Sequence, residues 1–370
     1  MSKSENLLIH VDFGSAGNFG KYNLQTIKSL DPKIFHNQVS FVQNDFLYES
    51  KYIRKIFNKY LKYFPKKLGA IYKFFDLLIC LIYIAFFAKF SKYKHKTLVC
   101  SLYAPFVHYL IFMKLLRIFK IKIAIIVHDI EKLEVDAPKL ILVDRKKILN
   151  YADFFICHTK ESEQYCESLN KEIVVYPFPE LEFEINKIYG ANSSKITFLL
   201  IGGLRKEKGY DLLIEAINQL NKKTLSKKFE CIIAGKPLKN RKIEHSGCSN
   251  LKIVEDYLTD EMFMDYISQA DYVVLPYYAG TNSGILYSAF SLETPVITSN
   301  LEMFTTNSIV KESNIFKRGN LEELCSILEK KIESFDQEYN DDLMHLRNIK
   351  NKYQANFKEK INHAFIKITS

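Results

Sequence analysis

Residues 195–219 read KITFLLIGGLRKEKGYDLLIEAINQ, and the fold follows from how this stretch is parsed. Ile196, Phe198, Leu199, Leu200 and Ile201 form a short apolar run, the pattern of a buried strand. Gly202 and Gly203 break it where a strand turns toward a helix. Leu212, Leu213, Ala216, Ile217 and Leu220 then recur at the spacing of one helical face. Between strand and helix stand Arg205, Lys206 and Lys208, beside backbone that glycine lets a ligand approach closely. Cations and open amides at the carboxyl end of a parallel strand suit a diphosphate. A basic turn facing water is the other reading of the same residues.

The pattern continues toward the carboxyl terminus. Residues 229–234 read as the next strand, ending at Gly235-Lys236-Pro237, followed by strands at 251–254 and 271–276. Residues 277–298 are YYAGTNSGILYSAFSLETPVIT. There Gly280, Thr281, Asn282, Ser283 and Gly284 make a small polar loop before a helix that begins with Ile285 and Leu286. Thr281 or Ser283 can cap that helix and leave amides and hydroxyls for an anion. Helices at 321–332 and 342–368 close the chain, the last polar enough to lie on the surface across both halves.

Toward the amino terminus, residues 7–13, LLIHVDF, read as the first strand, and Gly14, Gly17 and Gly20 space the loop after it. The spacing is G-x-x-G-x-x-G, so the dinucleotide fingerprint G-x-G-x-x-G fails at its second glycine. The loop can receive an anion or a sugar, or be a plain turn. Further strands at 38–42, 97–102, 122–127, 153–157 and 172–176 alternate with helical segments at 106–119 and 141–151, which predicts a parallel, doubly wound sheet. The strand at 122–127 ends in His128-Asp129, where a histidine can hydrogen-bond a sugar or move a proton. Residues 180–194 lose the period and predict a linker.

A chain of 370 residues is about right for two domains. The seven cysteines are scattered and lack ligand spacing, which predicts a reducing cytosol with neither a disulfide framework nor a zinc site. The net charge of +10 is concentrated: residues 51–96 hold twelve Lys or Arg against Asp76, or +11, interleaved with thirteen Phe or Tyr. An anionic surface is the expected partner of this window. Its densest apolar run, 77–88, is shorter than the ~20 residues of a spanning helix. We expect that run to be mostly core, with the lysines before it facing anionic lipid. Nucleic acid is the competing anion, but no nucleic-acid-binding motif supports it.

The segments IGGLRKEKGYDLLIEA, AGK, ADYVVLPYY and TNSGILYSAFSLETPVI together resemble a GT-B fold nucleotide-sugar glycosyltransferase, close to glycosyltransferase family 4 and its group 1 relatives. The resemblance is most specific over residues 196–298. It implies an α/β fold of two Rossmann-like, doubly wound domains facing across a cleft: residues 1–180, joined by a carboxyl-terminal helix at about 346–370, and residues 190–345. It implies that Arg205 and Lys208 clamp the donor diphosphate as catalytic groups, with Gly203, Thr281, Asn282, Ser283 and Gly284 around the phosphates. Gly235, Lys236 and Ser288 fall in the nucleoside and ribose region. Gly14, Gly17, Asn18, His128 and Asp129 fall in the sugar and acceptor loop, with His128 toward the transferred sugar.

One departure stands out. The family commonly carries two glutamates eight positions apart, and those positions here are Gly280 and Ser288, while Glu293 is five further on. The resemblance further implies a UDP- or GDP-sugar donor, no cofactor and no metal. The acceptor would be a glycan or lipid-linked molecule of a bacterial surface polysaccharide, and the enzyme would lie on the cytoplasmic membrane face. A degenerate binding protein of the same fold is the alternative, with a dinucleotide-dependent enzyme behind it.

Overall fold

A computed structural model of the chain describes residues 5–12, 18–43, 50–58, 66–101, 105–128, 142–180, 195–237, 243, 248–280, 282–306 and 308–370. The chain divides into two compact units, Met1–Pro179 with Asn356–Ser370, and Glu180–Ala355. The expected linker beyond Glu180 lies outside the described residues.

The first unit is built on strands β1 (Asn6–Val11), β2 (Gln38–Gln43), β3 (Ile53–Phe57), β4 (His95–Ser101), β5 (Lys122–Ile126), β6 (Phe154–Cys157) and β7 (Glu172–Val175). They form one sheet in the order β3-β2-β1-β4-β5-β6-β7, and every pairing is parallel. The crossovers carry α1 (Asn18–Ser29), α2 (Lys66–Phe90), α3 (Val107–Ile118), α4 (Arg145–Leu149) and α5 (Lys160–Glu167). Helices on both faces explain why inner strands such as β5 and β6 are apolar without alternation. β1 pairs with β2 on one side and β4 on the other, so the winding reverses there and the carboxyl ends splay into a crevice.

Two details differ from the sequence reading. β3, with the sequence IRKIF, lies inside the basic window; charges on an edge strand hide its period while discouraging edge-to-edge pairing. The run 77–88 is core on one side, where the part-buried Leu77, Cys80 and Phe87 also pack, and exposed on the other. It belongs to α2, where Leu81, Ile84, Ala85 and Ala88 are buried while Ile79, Tyr83 and Phe86 are exposed. A helix laid on one face of a sheet has one inward side, and the apolar residues of α2 exceed what that side can hold. Among the described residues no helix is long and apolar enough to cross a membrane.

The second unit contains β8 (Ile196–Ile201), α6 (Tyr210–Asn221), β9 (Phe229–Ala234), β10 (Leu251–Val254), α7 (Asp260–Gln269), β11 (Tyr272–Leu275), α8 (Gly284–Ser291), β12 (Val296–Ser299), α9 (Glu302–Thr305), β13 (Ile315–Phe316) and α10 (Leu321–Glu333). The strand order is β10-β9-β8-β11-β12-β13, again all parallel, with the reversal between β8 and β11. α7 starts at Thr259, whose hydroxyl accepts the Met262 amide at 3.2 Å. Lys331 of α10 is buried and reaches Glu338 at 2.8 Å and Asp342 at 2.6 Å, both on α11 (Phe335–Thr369).

The end of α11 belongs to the first unit. Ile361, Phe365 and Ile368 are fully buried there, and the Asn362 side chain accepts the Asp31 amide at 2.7 Å and donates to the Ser29 carbonyl at 3.1 Å. These bonds satisfy backbone groups at the end of α1 that the helix itself leaves open.

Candidate functional site

In the second unit the candidate residues gather at the carboxyl edge of the sheet. After β8 the chain passes Gly202, whose φ is 109°, and the Leu204 amide bonds to the Lys236 carbonyl at 3.0 Å. Gly235 has φ 148°, and a Cβ there would run into the Gly202 carbonyl oxygen. The two strand-end loops therefore touch through backbone alone, which fixes Gly235 and Lys236 beside Gly203 and Arg205. Residues 206–208 form a single tight turn that ends at Gly209, with φ 67°, and a Cβ on Gly209 would strike the Pro276 carbonyl oxygen at the end of β11. The Tyr278 amide bonds to the Glu207 carbonyl at 2.8 Å, tying the same turn to the segment after β11.

This scaffold sets the cations. The Lys208 Nζ lies 3.7 Å from the Tyr277 ring centroid, the distance of a cation–π contact. Arg205 is half-buried, and its Nε pairs with Glu207 at 3.1 Å. The pair occupies one edge of the guanidinium and leaves the terminal nitrogens for a planar anion.

α8 begins against these loops: the side chain of Ile285 lies 2.9 Å from where a Cβ on Gly202 would stand. Ser283 is the residue before the first turn, yet its hydroxyl does not cap the helix as the sequence suggested. The Asn282 side chain accepts the Ser283 amide at 2.9 Å, and the buried Ser283 Oγ has no hydrogen-bond partner among the described residues. A buried hydroxyl without a partner beside the open amides of a helix start is a fitting place for an anion. Ser288 is turned to a structural use, donating to the Gly284 carbonyl at 2.9 Å. Glu293, in the left-handed region at φ 54°, pairs with Arg347 at 3.0 Å and Lys350 at 3.5 Å, away from this edge's loops. Thr281 lies outside the described residues.

In the first unit, His128 follows β5 and is buried, its Nε2 3.1 Å from Ser101 Oγ at the end of β4. It is not alone. Tyr22 of α1 meets its ring edge-on at 5.1 Å, and His158, after β6, lies 5.9 Å away between centroids. The Tyr176 carbonyl accepts from His158 Nδ1 at 2.9 Å, so His158 Nε2 is the acceptor and Tyr22 Oη donates to it at 2.9 Å. With its hydrogen committed, Tyr22 accepts from Tyr176 Oη at 2.8 Å. Burial pushes the His158 imidazolium down to about 4, and burial, then His158 and Arg145, hold His128 well below the usual range. Both rings are neutral at pH 7, which suits hydrogen bonding to hydroxyls and not the delivery of a proton.

Gly14, Gly17 and Asp129 lie outside the described residues, and Asn18 opens α1. Sequence reasoning missed Tyr22, His158, Tyr176 and Tyr277 as site residues. His158 carried the same signal as His128, a histidine directly after a buried strand; the tyrosines carried none, because only the folded chain brings them to the sheet edge.

Residues 182–342 match the family described as glycosyl transferases group 1. No curated protein matches the chain. Among solved structures it is similar to sucrose-phosphate synthase from Thermosynechococcus elongatus, at 17% identity and TM-score 0.64, covering 98% of each chain. It is similar also to the lipopolysaccharide outer core galactosyltransferase WaaB, at 13% identity and TM-score 0.60, covering 98% of this chain and 99% of that one. The Anabaena protein HepE, solved with UDP, matches at 13% identity and TM-score 0.59, covering 98% of each. These identities speak for the fold, which is the GT-B architecture, and the match of residues 182–342 to glycosyl transferases group 1 supports a glycosyltransferase.

Proposed function

We propose that the chain transfers a sugar from a UDP- or GDP-sugar to a glycan or lipid-linked acceptor of a bacterial surface polysaccharide, without a metal and with retention of configuration. The observation that carries the donor half is the convergence of Lys208, Arg205 and the unpartnered Ser283 hydroxyl on one sheet edge. Cations and a helix amino terminus placed there would neutralise the diphosphate as it leaves, and fixed charges of this kind do most of what such a site can do to speed the reaction. Under this reading the neutral His128 and His158 hydrogen-bond sugar hydroxyls, with Tyr22 and Tyr176 holding the His158 tautomer. Metal independence is supported by these side-chain cations. Retention rests on the family resemblance.

A UDP-bound neighbour supports a nucleotide donor, and a lipopolysaccharide galactosyltransferase among the similar folds supports a surface glycan acceptor. The basic, aromatic region 51–96 supports work at an anionic membrane face on the cytoplasmic side. The test is calorimetric titration with UDP, GDP and their sugar conjugates. Saturable binding of one of them, weakened in Lys208→Ala and Ser283→Ala, is expected; no binding of any nucleoside diphosphate would overturn the reading.

A second reading has its own observation. Gly280 offers no side chain and Ser288 bonds within its helix, so α8 presents no carboxylate for a ribose or sugar. A chain that binds nucleotide sugar without turnover fits this, and single-turnover release of nucleoside diphosphate distinguishes the two.

A further inference from the structure

α2 has two apolar sides, and only one is used by the core. Leu81, Ile84, Ala85 and Ala88 face inward. Phe75, Ile79, Tyr83, Phe86 and Phe90 are exposed, Ile79 by 64% and Phe90 by 77%. Their spacing of four, four, three and four residues keeps them within about 80° of arc along ~22 Å of helix, on the side away from the buried residues. A surface helix of a globular domain ordinarily places charge there.

The stripe continues onto α3. Phe86 meets Phe119 edge-on at 5.3 Å and stacks on Phe90 at 6.0 Å, and beyond Phe119 the exposed face of α3 carries Ile111 and Ile118, the latter 70% exposed. Exposed cations border this ridge: Lys73 and Lys89 on either side of the α2 stripe, Lys92 past its end, Lys114 between the two isoleucines and Lys120 after α3. Asp76 is the one acidic residue in the sequences of α2 and α3. Its carboxylate is engaged by the Asn58 amide at 2.7 Å and the Tyr72 hydroxyl at 2.8 Å.

We propose that the α2–α3 ridge docks the first unit on an anionic lipid bilayer, its aromatic and aliphatic side chains at the boundary of headgroups and acyl chains and its lysines on the phosphates. Apolar side chains rimmed by cations are the combination that holds a helix in the plane of such a surface. A second copy of the chain is a poorer occupant, because pairing two ridges would bring the lysine rims together. The proposal names the surface behind the membrane half of the function above and rests on that half, not on the donor chemistry.

The chain contains no Trp, so Ile79→Trp reports from the ridge without background. Mixed phosphatidylcholine and phosphatidylglycerol vesicles are expected to blue-shift its emission, and brominated lipid to quench it. Tyr257→Trp, exposed on the second unit, is expected to respond to neither. Phosphatidylcholine alone is expected to shift Ile79→Trp far less. The double variant Ile79→Ser, Phe90→Ser, both at exposed positions, is expected to lose vesicle affinity by about tenfold or more with unchanged circular dichroism. Full chain that sediments with anionic vesicles while Ile79→Trp stays silent would overturn the ridge and leave membrane association standing. Full chain that sediments with no vesicle would overturn both. A blue shift that grows with protein concentration in the absence of lipid would assign the ridge to contacts between copies, against the proposal.

Discussion

The ammonium nitrogen of Lys208 sits 3.7 Å from the centre of the Tyr277 ring, held there by a turn that closes at Gly209 against the end of β11. The ring aims the cation without neutralising it, so the charge stays available to a second, anionic partner. Lys208→Ala and Arg205→Ala are each expected to lower kcat/KM by at least about tenfold, near 1.4 kcal/mol of transition-state stabilisation. Tyr277→Phe, which removes a buried hydroxyl that has no hydrogen-bond partner among the described residues, is expected to retain activity and thermal stability. Steady-state kinetics on these variants checks both statements.

Ser283→Ala separates binding from folding. The hydroxyl it removes bonds to nothing among the described residues, so the melting temperature is expected to hold within experimental scatter. Affinity for the nucleoside diphosphate is expected to fall by roughly ten- to a hundredfold, the worth of one hydrogen bond to a charged group. Calorimetry and a thermal scan on the same sample read the two effects.

Gly209→Ala puts a Cβ into the Pro276 carbonyl and asks an alanine to hold φ 67°. Relief requires the turn carrying Lys208 to move off β11. We expect a loss of more than about 1–3 kcal/mol in stability, the usual range for left-handed strain alone, together with lost nucleotide affinity. Gly203→Ala, where a Cβ meets nothing within 4 Å, is the matched control for stability alone.

Acid sensitivity follows from buried histidines. His10 is pushed down to about 3 and His158 to about 4, in each case chiefly by burial, from an ordinary 6.5. Below pH 6.5 the unfolded chain takes up protons that the native chain refuses. Stability is therefore complete above that pH and declines as pH falls toward 4, by up to about 1.4 kcal/mol per pH unit for each histidine. Among the described residues neither ring nitrogen of His10 has a hydrogen-bond partner, and the ring stacks on Phe365 at 5.8 Å, so His10→Leu is expected to flatten the slope. Denaturant titrations at pH 7, 6 and 5 measure it.

Lys331→Met tests the buried ion cluster of the second unit. Removing the cation leaves Glu338 paired with Lys330 at 2.7 Å and Asp342 with Lys311 at 3.4 Å, so the expected cost in a chemical denaturation curve is about 1–3 kcal/mol, below that of a buried charge left wholly unpaired.

How much of this was legible in the sequence depended on whether the signal was local. Strands such as 196–201 and 122–126, buried on both faces, are apolar runs that announce themselves, and the strand, glycine, cation, helix order around Arg205 and Lys208 located the tight turn at the sheet edge. The helix start at Ser283 was legible, but the hydroxyl offered there as a cap makes no capping bond, which the order of side chains along the chain cannot reveal. The Tyr22, Tyr176 and His158 network joins residues up to 154 positions apart, so no window could contain it. The basic region was legible in its charge and in the core-facing part of its apolar run, while the exposed side of α2 was not, because composition does not say which side of a helix meets the sheet.

The first unit is closed by residues 356–370, whose Ile361, Phe365 and Ile368 fill its core and whose Asn362 ties down the end of α1. A ribosome makes those residues after the whole of the second unit. During synthesis the amino-terminal sheet must therefore wait, partly open, while residues 180–355 emerge and can fold, reversing the usual order in which domains mature on a growing chain. The exposed surface of that waiting sheet, and not the finished enzyme, is where a chaperone would find this protein.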